Sequence, residues 1–380
     1  MNVVTVLTGL FFLSSCTCIA FDAGIAASTQ AVCSLAPYLT PPFPTLPSEK
    51  LLGGATATNN QVLDKHSTAA DVVRHLRTHQ SLAPFVGRNG VAVVTGGSSG
   101  IGRHTVETLA KMDMKVVLCA RDTNAARITL NEICQASPYI NRSNVRIQPL
   151  DLADLNSVES AAKEILANEG KIDVICNNAG VNALEWVGQT AQKFEIHMGV
   201  NHIGHFHLTR LLLPYLNSGG RIVTVASSAH ASVKKLNVDD LDLTSQRYSP
   251  WTGYVQSKLA NILFAKGLQE KVREDDREDI LSLCLHPGIV KTNLWRHSDH
   301  SLVQSIGETM ICKSVEQGAA TEVFCCIAET NHFRGGDYVV DCQLSAPHII
   351  GMDKTLRRKL WGKTEEMIRK AGFELPENLV

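Results

Sequence analysis

Seven short runs of mostly apolar, often β-branched residues alternate with longer segments whose apolar residues recur at helical spacing. The runs are VAVVTG (91–96), KVVLCA (115–120), VRIQPL (145–150), IDVICNN (172–178), RIVTVA (221–226), LSLCLHPG (281–288) and DYVVDC (337–342). Because these runs are almost continuously apolar, they are typical of strands that are buried on both faces. Strand–helix–strand repetition favours right-handed crossovers, so the pattern predicts an α/β domain with a doubly wound parallel sheet of about seven strands.

The first 66 residues follow a different pattern. Residues 1–20 contain an uncharged apolar run from Val3 to Leu13, followed by small residues up to Ala20. The run is shorter than the roughly 20 residues of a membrane span and is typical of a signal peptide, with an uncleaved membrane anchor as the alternative. Residues 21–66 are rich in Ala, Ser, Thr and Pro, which indicates a low-complexity linker or a targeting remnant.

The folded domain is expected to span residues 67–380. A chain of 380 residues could hold two average domains, but the single strand–helix series favours one large domain with an extension. Ser67 is predicted to cap its first helix, with Val72, Val73 and Leu76 on one face. Residues 293–330 are expected to include a substrate lid.

Composition and charge narrow the range of partners. The formal net charge is -1, and no run of Lys and Arg suggests a nucleic-acid surface, so a small-molecule partner is predicted and nucleic acid is not. The 11 cysteines are scattered without CxxC spacing, which favours reduced, buried thiols. His197, His202, His205 and His207 cluster without a cysteine or carboxylate, so we interpret them as packing residues and expect no metal site.

The first predicted strand runs directly into a glycine-rich turn, TGGSSGIGR (95–103). Such a turn between a strand and a helix lets the backbone approach a pyrophosphate and aims the helix N-terminal N–H groups at it. The glycine spacing fits neither GxGxxG nor a P-loop, so the position after the first strand is what favours a Rossmann-type dinucleotide site. The expected cofactor contacts in this turn are Gly96, Ser98, Ser99, Gly100, Ile101 and Gly102.

The second strand ends in CARD (119–122), and its tip should select between the two nicotinamide dinucleotides. An arginine at this position favours the 2′-phosphate of NADP, whereas an acidic residue favours the ribose 2′-hydroxyl of NAD. If the strand ends at Ala120, Arg121 is the first loop residue and the cofactor is NADP(H). A shift of one residue would give the role to Asp122.

Further strand ends are expected to line the same cleft. Asp151, followed by Leu152, comes after the third strand and could accept a hydrogen bond from the adenine amino group or cap the next helix. The remaining predicted cofactor contacts are the backbone of Asn178, Ala179 and Gly180, the Pro287–Gly288 turn, Thr292, which could hold a carboxamide, and the later pair Tyr254 and Lys258.

The segment GYVQSKLAN (253–261) places Tyr254 and Lys258 four residues apart on one face of a predicted helix. An ammonium about 4 Å from a phenol would interact by roughly 4 kcal/mol at an effective dielectric near 20, equal to about 3 pKa units. The pKa of the phenol would then lie near 7, where a proton donor to a carbonyl is most useful. Such pairs also occur by chance on exposed helices, so neighbouring polar residues must support the interpretation. Ser228, at the end of the fifth strand, could stabilise an oxyanion. Asn201 is expected in the middle of a helix, where a buried amide would be costly without hydrogen-bond partners.

In this order, the motifs resemble those of the short-chain dehydrogenases/reductases over residues 67–365. They are TGxxxGIG (Thr95–Gly102), NNAG (Asn177–Gly180), the Asn201 segment, Ser228, YxxxK (Tyr254–Lys258) and PG (Pro287–Gly288). Within the family the chain is similar to the retinol dehydrogenase and WW-domain oxidoreductase branch, through NHIGHFHLT, SKLANILF, HPGIVKTNLWRH and KLWGKTEEMI.

The resemblance implies a role for each catalytic position. Tyr254 would donate or accept the proton, and Ser228, rather than its neighbour Ser227, would orient the substrate oxygen. Lys258 would bind the nicotinamide ribose and lower the pKa of the tyrosine, and Asn201 would hold a water that links Lys258 to solvent.

The expected function is NADP(H)-dependent hydride transfer to or from a carbonyl or alcohol group of a small hydrophobic molecule. The alternative is a catalytically weak NADP(H)-sensing interaction protein on the same fold. Because NADPH is not an extracellular metabolite, the N-terminal segment is expected to lead to the endoplasmic reticulum or endomembranes, with a plastid as the alternative. Membrane attachment through the N terminus and a homo-oligomer are both compatible with the sequence.

Overall fold

The computed structural model describes residues 62–182, 188–244, 248–290 and 312–377. Its sheet has the strand order β3-β2-β1-β4-β5-β6-β7-β8, in which the first seven strands are parallel and β8 is antiparallel to β7. The strands are β1 (Val91–Thr95), β2 (Lys115–Ala120), β3 (Val145–Pro149), β4 (Ile172–Asn177), β5 (Leu216–Val225), β6 (Leu281–His286), β7 (Tyr338–Val340) and β8 (Gln343–Ser345). The predicted doubly wound sheet is confirmed, with one strand more than expected.

Strand β8 escaped prediction because its turn carries no usual turn residue. Asp341 and Cys342 join β7 to β8, and both have positive φ, +53° and +59°. Two positive-φ residues are typical of a tight hairpin turn, in which Asn-Gly or Asp-Gly is the usual pair. The sequence Asp-Cys gives little sign of such a turn.

Helices cover both faces of the sheet. They are α1 (Ala69–Thr78), α2 (Gly100–Lys111), α3 (Thr123–Ala136), α4 (Leu155–Glu169), α5 (Gly204–Leu212), α6 (Pro250–Glu274), α7 (Val315–Ile327) and α8 (Lys354–Lys370). The strand order reverses at β1, which lies between β2 and β4. In an open α/β sheet, ligands bind at the carboxyl ends of the strands beside such a reversal. None of the helices in the described ranges is both long and apolar enough to cross a bilayer.

The first helix is capped by Thr68, so the prediction of Ser67 as the cap is wrong. The Thr68 side chain accepts from the N–H of Asp71 while the Asp71 carboxylate accepts from the Thr68 N–H, which forms a capping box. The Ser67 hydroxyl instead accepts from Asp64 N–H. Val72 and Leu76 are buried as predicted, and Val73 is only half-buried.

Contacts with the domain begin before residue 67, and the first described residues lie along α7. The Gln317 amide donates to His66 O, and Leu82 forms an antiparallel bridge with Ala328 beyond the end of α7. The segment that precedes the sheet is therefore part of the domain. The predicted signal peptide or anchor (1–20) and most of the predicted linker lie outside the described residues.

The predicted lid (293–330) extends too far along the chain. Helix α7 falls within it, and its residues from Gly318 to Ile327 are all buried. Gly318 faces Val290 and Ile101, which places the start of α7 beside the glycine-rich turn. The span 315–327 is thus a core helix, and residues 293–311 lie outside the described part of the chain.

Helix α8 covers α5 and α6 through an aromatic cluster. The Trp361 ring centroid lies 4.8 Å from that of Phe206 and 6.0 Å from that of Phe264. His202 Nε2 bonds Thr364 Oγ1 at 3.0 Å, and Arg210 pairs with Glu365. The late motif KLWGKTEEMI therefore contains the residues through which this C-terminal helix packs.

Candidate active site

The glycine-rich turn packs so closely against itself and the NNAG segment that its glycines leave no space for a side chain. Gly96 and Gly100 have φ of +67° and +54°, in the left-handed region that favours glycine. A Cβ on Gly102 would lie 2.6 Å from Gly96 O and would also meet the Asn178 amide nitrogen. Ser99, at the N-cap of α2, makes no side-chain capping bond, so the helix N–H groups can serve an anion. This cradle fits the pyrophosphate of a dinucleotide.

Thr95 joins the end of β1 to the NNAG segment. Its Oγ1 accepts from the N–H groups of Asn178 and Ala179, each at 3.0 Å, and the Asn178 amide donates to Thr95 O at 2.6 Å. The Thr95 hydroxyl is also 2.8 Å from His205 Nε2. His205 Nδ1 donates to Asn201 O at 3.0 Å, so Nε2 accepts, and burial lowers the pKa of His205 to about 4. Sequence reasoning missed both Thr95 and His205 as organisers of the site.

The tip of β2 lies as the prediction required. Ala120 is the last strand residue, which makes Arg121 the first loop residue, and its side chain is exposed. The carboxylate of Asp122 accepts from the N–H groups of Asn124 and Ala125 at 2.9 and 3.0 Å and caps α3. Both bonds go to Oδ1 of Asp122, and the contact of Arg121 with an adenosine ribose stays a prediction.

Asp151 does not cap α4, so that alternative reading is wrong. Asp154 is the N-cap and accepts from Asn156 N–H, whereas Asp151 Oδ1 accepts from Ala153 N–H at 2.9 Å. The half-buried Asp151 thus stays at the carboxyl end of β3, where an adenine group is expected. Leu152 beside it is buried, and its carbonyl lies against Gly204.

Tyr254 is 5% exposed, and its phenol hydrogen-bonds the hydroxyl of Ser227 just beyond β5. The predicted position at the carboxyl rim of the sheet is therefore observed. The predicted lowering of the Tyr254 pKa to near 7 is wrong. Burial raises the pKa of Tyr254 above 10, and the Ser227 bond opposes this rise only in part.

Lys258 does not lower the pKa of the Tyr254 phenol, which is set by burial and by the Ser227 hydroxyl. Its Nζ is 5.8 Å from the Tyr254 ring centroid and donates to Val225 O at 3.1 Å. The amine thus lies beside the ring, and its hydrogen bond goes to the backbone at the end of β5. Burial lowers the pKa of Lys258 itself to about 8, which leaves it cationic at neutral pH.

Asn201 lies in a π-helical turn, Met198–Ile203, that precedes α5. Its Oδ1 accepts from Val181 N–H at 2.8 Å, and its Nδ2 donates to Val181 O at 3.1 Å and to Ser257 Oγ at 2.9 Å. Ser257 Oγ donates in turn to Tyr254 O at 2.7 Å. These bonds explain the buried amide, and such turns are frequent at functional sites. The water proposed for Asn201 stays a prediction.

Gly180 brings the NNAG segment to the catalytic pair. A Cβ there would lie 3.3 Å from Lys258 Nζ and 3.4 Å from Asn201 Oδ1. The structure therefore gathers the predicted nucleotide segment, Lys258 and Asn201 at one point of the cleft.

The two serines after β5 have different environments. Ser227 hydrogen-bonds the Tyr254 phenol, and its hydroxyl also accepts from Ala229 N–H at 3.2 Å. Ser228 begins a 3-10 turn, and its N–H donates to His286 Nδ1 at 3.2 Å. The predicted contact of Ser228 with a substrate oxygen stays a prediction, whereas the contact with Tyr254 belongs to Ser227.

The Pro287–Gly288 turn follows β6 at the same edge. Gly288 has φ +92°, and a Cβ there would lie 2.6 Å from Lys313 Cδ, so only glycine fits. Thr292 lies outside the described residues.

The histidines interpreted as packing residues bond separate partners. His197 Nδ1 lies 2.7 Å from Glu195 Oε1, and His202 and His205 bond Thr364 and Thr95. Across the described ranges no three His, Cys, Asp or Glu side chains form a group that could hold a metal ion.

A buried cluster that sequence reasoning missed supports the start of α6. The Glu195 carboxylate accepts from Met198 N–H at 2.7 Å and from the Tyr248 hydroxyl at 3.0 Å, beside His197. A Cβ on Gly253 would lie 2.6 Å from Glu195 Oε1. The glycine before Tyr254 therefore lets this carboxylate approach a helix N terminus that has no side-chain cap.

Comparison with known proteins agrees with this arrangement. A family model described as short chain dehydrogenase matches residues 90–302, more than half of the chain. The protein belongs to the short-chain dehydrogenase family of oxidoreductases.

Relatives place it in the retinol dehydrogenase-like branch, as predicted. Retinol dehydrogenase 11 of Mus musculus is 34% identical over 275 residues, 71% of this chain and 84% of that protein. Polyprenol dehydrogenase of Mus musculus is 37% identical over 291 residues, 74% of this chain and 84% of that protein. Short-chain dehydrogenase TIC 32 B, chloroplastic, of Brassica napus is 35% identical over 308 residues, 78% of this chain and 91% of that protein.

A solved structure shares the fold. An uncharacterized protein from Mycobacterium paratuberculosis has a TM-score of 0.62 and 30% identity, covering 82% of this chain and 99% of that chain.

Proposed function

We propose that the protein is an NADP(H)-dependent oxidoreductase that interconverts a carbonyl and an alcohol group of a small hydrophobic molecule. The main support is the single cluster in which Tyr254, Lys258 and Asn201 meet the NNAG segment beside the glycine-rich turn.

NADP(H), when bound, supplies or accepts the hydride. Because burial keeps the pKa of Tyr254 above 10, the phenol is protonated at neutral pH and can donate its proton to a carbonyl oxygen. The cationic Lys258 would bind the nicotinamide ribose, and the hydroxyl of Ser228 would orient the substrate oxygen.

The choice of NADP(H) rests on Arg121. A guanidinium has a permanent charge and a planar fork that match a 2′-phosphate. The only acidic competitor at the strand tip, Asp122, is held by the N terminus of α3. Binding of NADPH in preference to NADH is therefore expected.

The hydrophobic class of the proposed substrate is inferred from the names of two relatives. Two relatives are named for retinol and polyprenol, which are apolar alcohols. We extend this substrate class, and no particular compound, to the present chain.

The test is NADPH consumption by the purified protein with all-trans-retinal and with decanal, repeated with NADH. Turnover that disappears in Tyr254→Phe supports the proposal. Tight NADPH binding without turnover of either aldehyde would instead favour the cofactor-sensing alternative.

We also propose delivery to the endoplasmic reticulum or endomembranes, with membrane attachment through the N terminus. Assembly into a homo-oligomer is part of the same proposal. One relative is named as chloroplastic, which supports a plastid as the alternative location. Imaging of a C-terminal fluorescent fusion, together with mass spectrometry of the mature N terminus, distinguishes these locations.

A further inference from the structure

The two serines next to Tyr254 lie on a short segment that we call the serine turn, residues 227–232. The segment connects β5 to the following loop, and its hydroxyls are useful only if its backbone is held still. Two histidines contact this backbone. One, His230, lies within the turn, and the other, His286, is the last residue of β6.

His230 ties the turn to the C-terminal part of the chain. Its Nδ1 donates to Ser227 O at 2.6 Å, and its Nε2 accepts from His348 N–H at 2.9 Å. These two bonds define a neutral ring with the proton on Nδ1, and burial lowers the pKa of His230 to about 4.

His286 has the opposite tautomer. A backbone N–H can only donate, so the 3.2 Å contact from Ser228 N–H requires a lone pair on His286 Nδ1. The proton of the neutral ring is therefore on Nε2. Three nitrogen-bearing side chains act electrostatically on the ring, namely Lys313 before α7, His230 in the serine turn and Lys258 on α6. Removal from water and these neighbours lower the pKa of His286 to about 3.

The position of His286 joins three parts of the site. It ends the central strand β6, it directly precedes the Pro287–Gly288 turn, and it contacts the serine turn. His286 has no role in the predicted motifs, and it is not one of the proposed catalytic residues.

We propose that His286 is a positioning residue for the hydride-transfer reaction, because its Nδ1 accepts from Ser228 N–H and so holds the backbone that carries the Ser227 and Ser228 hydroxyls. The inference rests on the proposed function for its catalytic consequence. The required feature is an uncharged acceptor at the Nδ1 position.

Two substitutions of similar shape separate the acceptor from mere packing. In His286→Asn, Oδ1 occupies the branch that Nδ1 occupies in histidine and can accept the same bond. In His286→Leu, a methyl group takes that place and Ser228 N–H loses its partner. Both variants are made in the full chain and compared by NADPH affinity, thermal unfolding and decanal reduction.

The expected result is a loss of kcat in His286→Leu of about 10-fold, the equivalent of one hydrogen bond. Its NADPH affinity should stay within about twofold of wild type, and His286→Asn should recover most of kcat. Ser227 opposes the rise in the pKa of Tyr254. The alkaline limb of the pH profile of kcat that belongs to the tyrosine should therefore move to higher pH in His286→Leu and stay in place in His286→Asn. Equal loss in both variants, or no loss in either, would overturn the inference.

A second measurement does not depend on turnover. Nitrogen-15 NMR of histidine-labelled wild-type protein, with His286→Asn used for assignment, reports which ring nitrogen of His286 carries the proton. An unprotonated Nδ1 is expected, and a proton on Nδ1 would overturn the inference even if no aldehyde is reduced. If the tautomer is as expected and no substrate is turned over, the proposed function fails instead.

Discussion

Lys258 Nζ donates to Val225 O at 3.1 Å and lies 5.8 Å from the ring centroid of Tyr254. The two residues of the YxxxK motif thus share one helix face without a bond between amine and phenol. The lysine is a buried cation next to the end of β5, and the tyrosine is a buried neutral phenol. This separation determines how each should respond to pH and to substitution.

Lys258→Met should stabilise the ligand-free protein while abolishing turnover. The pKa of Lys258 falls from 10.5 to about 8 on folding, so holding its charge in the interior costs up to about 3 kcal/mol. Methionine keeps most of the stem, and Val225 O retains its bond from Asn261 Nδ2 at 3.1 Å. Urea unfolding at pH 7 measures the gain in the free energy of unfolding.

The free-energy cost of the buried Lys258 charge depends on pH, because folding lowers the pKa of this lysine. Below about pH 8 the lysine is charged in both folded and unfolded states, so the full cost is present. Between about pH 8 and 10.5 only the unfolded state holds the proton, so the stability of the wild type rises with pH. The advantage of Lys258→Met should therefore shrink in this window, and a constant advantage up to pH 10 would contradict the assigned pKa.

For NADPH-dependent aldehyde reduction, kcat/KM should be level near neutral pH and fall above about pH 8, as Lys258 loses its charge. The tyrosine limb should come later, because burial holds the pKa of Tyr254 above 10. Lys258→Arg keeps a permanent charge, so whatever activity it retains should lack the first limb. An unchanged limb near pH 8 in that variant would assign it to another group.

Much of this site follows from sequence because its parts are local. The glycine-rich turn, the NNAG segment and the YxxxK helix each lie at the end of a strand or on one helix face, and strand order brings them together. The pKa of Tyr254 could not be obtained in this way. It depends on where the Lys258 amine points and on how much water surrounds the phenol, and both are set by tertiary packing.

The same limit applies to residues that act through distant contacts. Thr95 bonds Asn178 across 83 positions of sequence, and His286 bonds Ser228 across 58. No spacing rule connects such pairs. A weak signal was nevertheless present, since a threonine ends the otherwise apolar strand β1 and a histidine ends the largely apolar strand β6.

The two serines should respond differently to substitution. Ser227→Ala removes the hydroxyl that hydrogen-bonds Tyr254 and should shift the tyrosine limb of the pH profile to higher pH. Ser228→Ala should leave that limb in place and lower kcat by about 100-fold or more, if its hydroxyl orients the substrate oxygen. Full pH profiles of kcat for both variants make the comparison. A large loss in Ser227→Ala with near-normal Ser228→Ala would exchange the two roles.

Arg121→Ala should weaken NADPH binding without affecting NADH. Hydrogen bonds to charged groups contribute about 1.5–3 kcal/mol, so the dissociation constant for NADPH should rise about 10- to 100-fold. Fluorescence titration with both dinucleotides gives the ratio. Asp122→Asn is the matched control, because it leaves the arginine in place and an asparagine can still cap α3. Since the Asp122 carboxylate is engaged by the N–H groups of Asn124 and Ala125, this control should keep the preference for NADPH. A loss of NADH binding in Asp122→Asn, with Arg121→Ala unaffected, would show instead that the acidic residue faces the ribose and that NAD is the cofactor.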